Sequence, residues 1–199
     1  MKTGVLVVLV SFFTEQRRGM YEARLHWWNN TQNSVIVLDS ANHMYGSESR
    51  FSNIRFMHVP GVRTYGTSRG EASSLLYLQK NATLSQYEWV VKITAKYIVP
   101  NLTSYLSNKD CNLYVQSLGH GGARNSEIFA FRSSLLIDNL RRHDFRTCEH
   151  MCWKCNNCIE NWLHQFEKRE GGRACFFPPI PIESAWRTPR THGGPLQHL

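Results

Sequence analysis

The chain predicts an α/β fold with a mostly parallel central sheet, and three observations carry that prediction. Apolar runs of strand length alternate with stretches of helical periodicity, in the order strand, helix, strand, strand, helix, strand. The first run, Val5 to Val10, is uniformly apolar, as a strand buried on both faces should be. At 199 residues, 42% hydrophobic and 19% charged, the chain is long and apolar enough for one substantial core. No linker or internal repeat divides it, so residues 1–199 read as a single domain.

The elements follow in order. Gly4 to Val10 is the first strand. Thr14 is placed to cap a helix on which Met20, Ala23 and Trp27 recur on one face. Ser34 to Leu38, ending at Asp39-Ser40, and Ile54 to Val59, ending at Pro60-Gly61, are the next strands. Ser68-Arg69-Gly70-Glu71 fits a capping box, and Leu75, Leu76 and Leu78 follow it on the second helix. Trp89 to Ile93 is a further strand, with short ones at Leu113 to Gln116 and Ile128 to Phe131. Ser133 or Ser134 opens a helix through Leu135, Leu136 and Leu140. Residues 178–199, rich in Pro and Gly, read as an extended surface tail.

A net charge of +8 favours anionic partners. The basic residues are scattered rather than clustered, which weakens the nucleic-acid and membrane readings beside that of a phosphorylated small molecule. No run is long enough for a transmembrane segment. Lys2 and the run after it superficially resemble a signal peptide, but Ser11-Phe12-Phe13-Thr14 offers no convincing cleavage site. A buried strand is therefore expected, and the cytoplasm is favoured over a secretory lumen. Sequons at Asn29, Asn81 and Asn101 are of a kind common by chance.

Cys148, Cys152, Cys155 and Cys158 invite a zinc reading. Yet Cys148, Cys152, Cys155, Ile159, Trp162 and Phe166 step by fours and threes along one helix face, with Thr147 as a possible cap. One straight helix cannot surround a metal with four ligands, so buried apolar thiols are favoured. Disulfides, with Cys111 and Cys175 as partners for the cluster, and a metal site remain alternatives.

Three features converge on an anion site. Ser68 with Arg69 and Gly70 opens a helix, whose free N–H groups and dipole attract phosphate. Lys92 and Lys96 flank Thr94 at the end of a central strand. Ser11, Phe12 and Phe13 end the first strand, with Arg17 and Arg18 following. In a parallel sheet all three lie on the carboxyl edge, where ligands bind. No Gly-rich phosphate loop or G-x-G-x-x-G occurs, which argues against NTPases and dinucleotide enzymes.

Gly70-Glu71-Ala72-Ser73-Ser74 followed by Lys92-Ile93-Thr94-Ala95-Lys96-Tyr97 resembles the G-E-x-x-S helix and K-I-T-G-R-Y block of bacterial and viral surface-polysaccharide glycosyltransferases. Ala95 and Lys96 depart from that block, the second keeping charge but losing the planar fork of arginine. Asn125-Ser126-Glu127-Ile128-Phe129-Ala130-Phe131 is similar to the family's N-S-E-I-F-G-F element. Glu160 to Leu163 and the Pro-rich tail are similar to the family's ending.

The resemblance implies a GT-A-like nucleotide-sugar-binding sandwich, a nucleotide-sugar donor and a glycan or glycoconjugate acceptor. It implies that Ser11, Phe12, Phe13 and Asp39 meet the base and ribose, and that Gly70, Ser74, Thr94 and Tyr97 lie in donor-binding blocks. GT-A enzymes commonly hold Mn or Mg with a D-x-D motif, and this chain has none. Lysine offers a hard cation no oxygen ligand. Lys92, with Arg69 or Lys96, is therefore expected to offset the diphosphate charge, with His192 on the same phosphates or as a ligand to a metal if one is bound; a divalent metal stays open. Glu127 is the expected general base. The rival readings are a basic, cysteine-clustered zinc module for nucleic acid or protein, and a non-catalytic nucleotide-sugar-binding relative.

Overall fold

The computed structural model describes residues 4–11, 13–41, 48–60, 67–107, 110–116, 127–142, 159–170, 173–177 and 183–184. The described residues form nine strands: β1 (Val5–Ser11), β2 (Ser34–Asp39), β3 (Ile54–His58), β4 (Trp89–Thr94), β5 (Tyr97–Ile98), β6 (Leu113–Val115), β7 (Ile128–Arg132), β8 (Ala174–Phe176) and β9 (Glu183–Ser184). The helices are α1 (Arg18–Asn29), α2 (Thr67–Asn81), α3 (Ser133–Arg142) and α4 (Ile159–Glu170). Seven strands form one sheet in the order β3-β2-β1-β4-β7-β6-β8. β1 pairs in parallel with β2 and β4, and β2 with β3; β7 runs antiparallel to both β4 and β6. The expected mostly parallel α/β fold is therefore the observed one.

Strand β1 is central because both its faces are apolar. Val7 and Leu9 pack on the α1 side, while Leu6, Val8 and Val10 pack on the side of α2, α3 and α4. Gly4 precedes it at φ +91°, a conformation that strains any L side chain, and its carbonyl accepts the Glu88 N–H at 3.1 Å.

Several local expectations are corrected. Thr14 makes no side-chain cap, and a 3-10 turn, Glu15–Arg17, precedes α1. The buried stripe of α1 is Tyr21, Leu25 and Trp28, with Met20 and Trp27 only partly buried and Ala23 exposed. The face is set by the larger rings: Trp28 fills the core, and its indole N–H donates to the Tyr97 carbonyl at 3.0 Å. Helix α2 begins at Thr67, so Ser68 lies inside it rather than at its cap. Sequence periodicity missed β8 and the small β5–β9 sheet, and it read residues 178–199 as tail although 183–184 pair with β5. Short edge pairings of this kind carry too few residues to show a period. Of the expected cysteine-bearing helix face, Ile159, Trp162 and Phe166 are buried on α4, while Cys148, Cys152, Cys155 and the off-face Cys158 lie outside the described residues.

Cys111 and Cys175 are bonded to each other, not to that cluster, with Cα atoms 5.8 Å apart across 64 residues of chain. The parallel register of β6 and β8, Tyr114 opposite Cys175, brings them together. Closing so long a loop restricts the unfolded chain, so reduction is expected to lower stability by about 2–4 kcal/mol. Thermal melts with and without reductant check this; coincident melts would show that the bond adds nothing. No helix among the described residues is long and apolar enough to cross a membrane.

Candidate active site at the carboxyl edge of the sheet

The connections from β1 to β2 and from β3 to β4 leave on opposite sides of β1, so the strand order reverses between β1 and β4. Such a switch point opens a crevice beyond the carboxyl ends of the strands. Backbone bonds prolong the pairing there: Ala95 N–H donates to the Val10 carbonyl at 2.9 Å, and Ser40 N–H to the Ser11 carbonyl at 3.3 Å.

One group of residues lies on the α1 side of this edge. Asp39 is 1% exposed, and its Oδ1 accepts the Ser11 hydroxyl at 2.9 Å and the Phe13 N–H at 3.0 Å. Oδ2 is buried with no hydrogen-bond partner among the described residues. Burial raises the Asp39 carboxyl above its ordinary value; the bonds from Phe13 and Ser11, the nearby Ala41 amide and the His58 ring oppose this without cancelling it. Phe13 serves through its backbone, since its ring is buried in the core. His58 sits opposite Asp39 in the β2–β3 register, and its Nε2 pairs with Glu48 at 2.9 Å. Sequence reasoning missed His58 and Glu48, and no spacing in the chain marks them as a pair.

The second group surrounds β4. Lys92 is 1% exposed, and its ammonium pairs with the Glu71 carboxylate on α2. It also lies 3.3 Å from Thr94 Oγ1 and 5.5 Å from the centre of the Phe129 ring. The capping-box pattern would send Glu71 back to Ser68. Glu71 pairs with Lys92, where an unpaired buried ammonium would cost far more than a missing cap. Lys96 pairs with Glu127 at 2.9 Å and lies over the Tyr97 ring at 4.8 Å. Thr94 N–H donates to the Glu127 carbonyl at 2.9 Å, which fixes the start of β7 against the end of β4.

Burial alone would raise the Glu127 carboxyl. The Lys96 charge and hydrogen bond, the Thr94 hydroxyl and the Lys92 charge outweigh it and hold Glu127 below its ordinary value. Burial likewise disfavours the Lys96 ammonium, but Glu127 and Tyr97 raise it overall. Tyr97 is raised by burial and by Glu127. A depressed carboxyl stabilises the fold above its unfolded value, and that contribution is lost as pH falls through the folded value. A raised ammonium contributes below its unfolded value and is lost as pH rises through the folded one. The pair therefore supports the fold across neutral pH and weakens below about pH 4. With Lys96 38% exposed the effect is small. Lys96→Met should narrow the stability gap to wild type as acid is added; a constant gap in denaturant melts from pH 7 to pH 3 would refute the pairing.

Ser74 Oγ donates to the Gly70 carbonyl at 2.8 Å inside α2, a helix back-bond buried from solvent. Arg17 is exposed on the turn before α1. Arg18 pairs with Glu15 at 2.6 Å and lies 5.2 Å from the Phe13 ring centre. Phe12, His192 and the Arg69 side chain fall outside the described residues. No three metal-ligating side chains cluster among the described residues, and each ammonium at the end of β4 is paired with a carboxylate, Lys92 with Glu71 and Lys96 with Glu127.

The fold is a GT-A-like α/β sandwich, and solved structures of that class superpose on it. The glycosyltransferase involved in glycosylation of the major capsid of PBCV-1 matches with a TM-score of 0.56 at 11% identity, over 89% of this chain and 82% of that one. Galactosyltransferase LgtC, solved with donor and acceptor sugar analogs, matches at 0.51 and 13% identity, over 87% of this chain and 73% of that one. The 4-diphosphocytidyl-2C-methyl-D-erythritol synthase of Anaerococcus prevotii matches at 0.52 and 10% identity, over 89% and 88%. No family model matches the chain, and no curated protein matches its sequence.

Proposed function

We propose that this protein is a glycosyltransferase that moves a sugar from a nucleotide-sugar donor to a hydroxyl of a glycan or glycoconjugate acceptor. The observation that carries the reading is Asp39: a buried carboxylate, held on one oxygen and unpartnered on the other among the described residues, at the switch point of a GT-A-like sheet. Such an oxygen suits a donor hydrogen on a base or ribose. Ser11 and the Phe13 N–H orient it. Lys96 faces the diphosphate, and Glu127 accepts the proton of the acceptor hydroxyl. Lys92, enclosed behind Glu71 and Thr94, positions the end of β4 rather than touching the donor. Arg17 and Tyr97 complete the donor side, to which the sequence pattern alone also assigns Arg69, Phe12 and His192.

The test is a thermal-shift panel of nucleosides, nucleoside diphosphates and nucleotide sugars, with EDTA and with manganese, on wild type and Asp39→Asn. A ligand that binds only the folded state raises the melting temperature. One base should stand out. Asp39→Asn should melt no lower than wild type, because it removes a buried charge that is unfavourable at neutral pH. It should bind the nucleoside at least about tenfold more weakly, the cost of losing one hydrogen bond to a charged acceptor. Binding without transfer or donor hydrolysis would point to the non-catalytic relative. No shift with any nucleotide would overturn the reading.

A further inference from the structure

The end of β4 carries two ammonium groups and two carboxylates in one connected chain. Glu71 meets Lys92, Lys92 donates to Thr94 Oγ1 at 3.3 Å, and Lys96 meets Glu127 at 2.9 Å. Thr94 joins the halves through its N–H bond to the Glu127 carbonyl at 2.9 Å. These four charges cancel, so the chain of groups is neutral before any ligand arrives. Among the described residues both ammonium groups here already have a carboxylate partner, so a diphosphate that draws on either one competes with that carboxylate. Lys92 is closed to solvent, while Lys96 and Glu127 are 38% and 26% exposed, so the chain opens at their end.

We infer that Glu127 is an internal competitor for Lys96: a phosphate-bearing ligand takes the ammonium from the carboxylate, and donor binding thereby readies the base. The inference rests on the nucleotide-sugar reading. The exchange itself breaks no covalent bond; Lys96 keeps its proton and changes partner. In the transfer that follows, the acceptor oxygen forms a bond to the anomeric carbon and its proton passes to the Glu127 carboxylate. The bond from that carbon to the phosphate oxygen breaks, and its electron pair leaves with the diphosphate. Removing an adjacent cation makes a carboxylate more basic, so Glu127 gains proton affinity when the donor is in place. Thr94 remains to orient it.

The test is calorimetric titration of wild type, Glu127→Gln, Lys96→Met and the double variant. The probes are the nucleoside diphosphate chosen by the panel above and its nucleoside. Glu127→Gln should bind the diphosphate about two- to fivefold more tightly, the worth of a partly exposed ion pair. It should bind the nucleoside unchanged. Lys96→Met should bind the diphosphate more weakly than wild type, and the double variant should match Lys96→Met. Glu127→Asp, which shortens the carboxylate and keeps its charge, should fall between wild type and Glu127→Gln and serves if the amide variant fails to fold. Equal or weaker diphosphate binding by both Glu127 variants, with the nucleoside still bound, would overturn the competition alone. Failure of folded wild type to bind either probe would overturn the donor reading, and this inference with it.

Discussion

Lys92→Met is expected to cost about 3–5 kcal/mol of folding stability, the usual consequence of removing one partner of a buried ion pair. Methionine keeps most of the stem that packs beside Phe129 but strands the Glu71 carboxylate, itself only 14% exposed, without its nearest cation. A domain of this kind has roughly 5–15 kcal/mol in total, so the variant should be marginal. The companion experiment is Lys92→Met with Glu71→Leu. Replacing both charges with apolar groups of similar size is often neutral, so the double variant should recover most of the loss. Urea melts of the two singles and the double give the coupling. A Lys92→Met variant as stable as wild type would show that the pair is not structural and return Lys92 to the list of donor ligands.

Glu127→Gln is expected to lower sugar transfer by about 10²–10⁴-fold, the range for loss of a general base. The amide that replaces the carboxylate has no basic lone pair at neutral pH, while its shape still fills the site between Thr94 and Lys96. Donor binding should survive, and the diphosphate should bind more tightly. Initial rates at saturating donor and acceptor separate the two effects. Transfer retained near the wild-type rate would remove Glu127 from the chemistry, whatever its effect on affinity.

Much of the fold is legible in the chain. The runs Val5 to Val10, Ser34 to Leu38 and Trp89 to Ile93 each carry their strand, because burial on both faces demands continuous apolar residues. Helix α3 begins at Ser133, as its sequence pattern implies. The errors fall where two local patterns compete. Met20, Ala23 and Trp27 and the stripe Tyr21, Leu25 and Trp28 are both regular helix faces, and only packing against the sheet chooses between them.

The site divides in the same way. The sequence by itself determined that a lysine stands inside an apolar strand, that Thr94 and Lys96 follow it, and that Asp39 and Ser11 end strands. Those are properties of residues a few positions apart, within one strand or one helical turn. Tertiary structure alone decided the partners: Ser11 with Asp39 across 28 residues, Lys96 with Glu127 across 31, and Glu71 with Lys92. A charge pairs with whatever the folded chain brings within a few ångströms, and strand order and register set that distance, not sequence spacing.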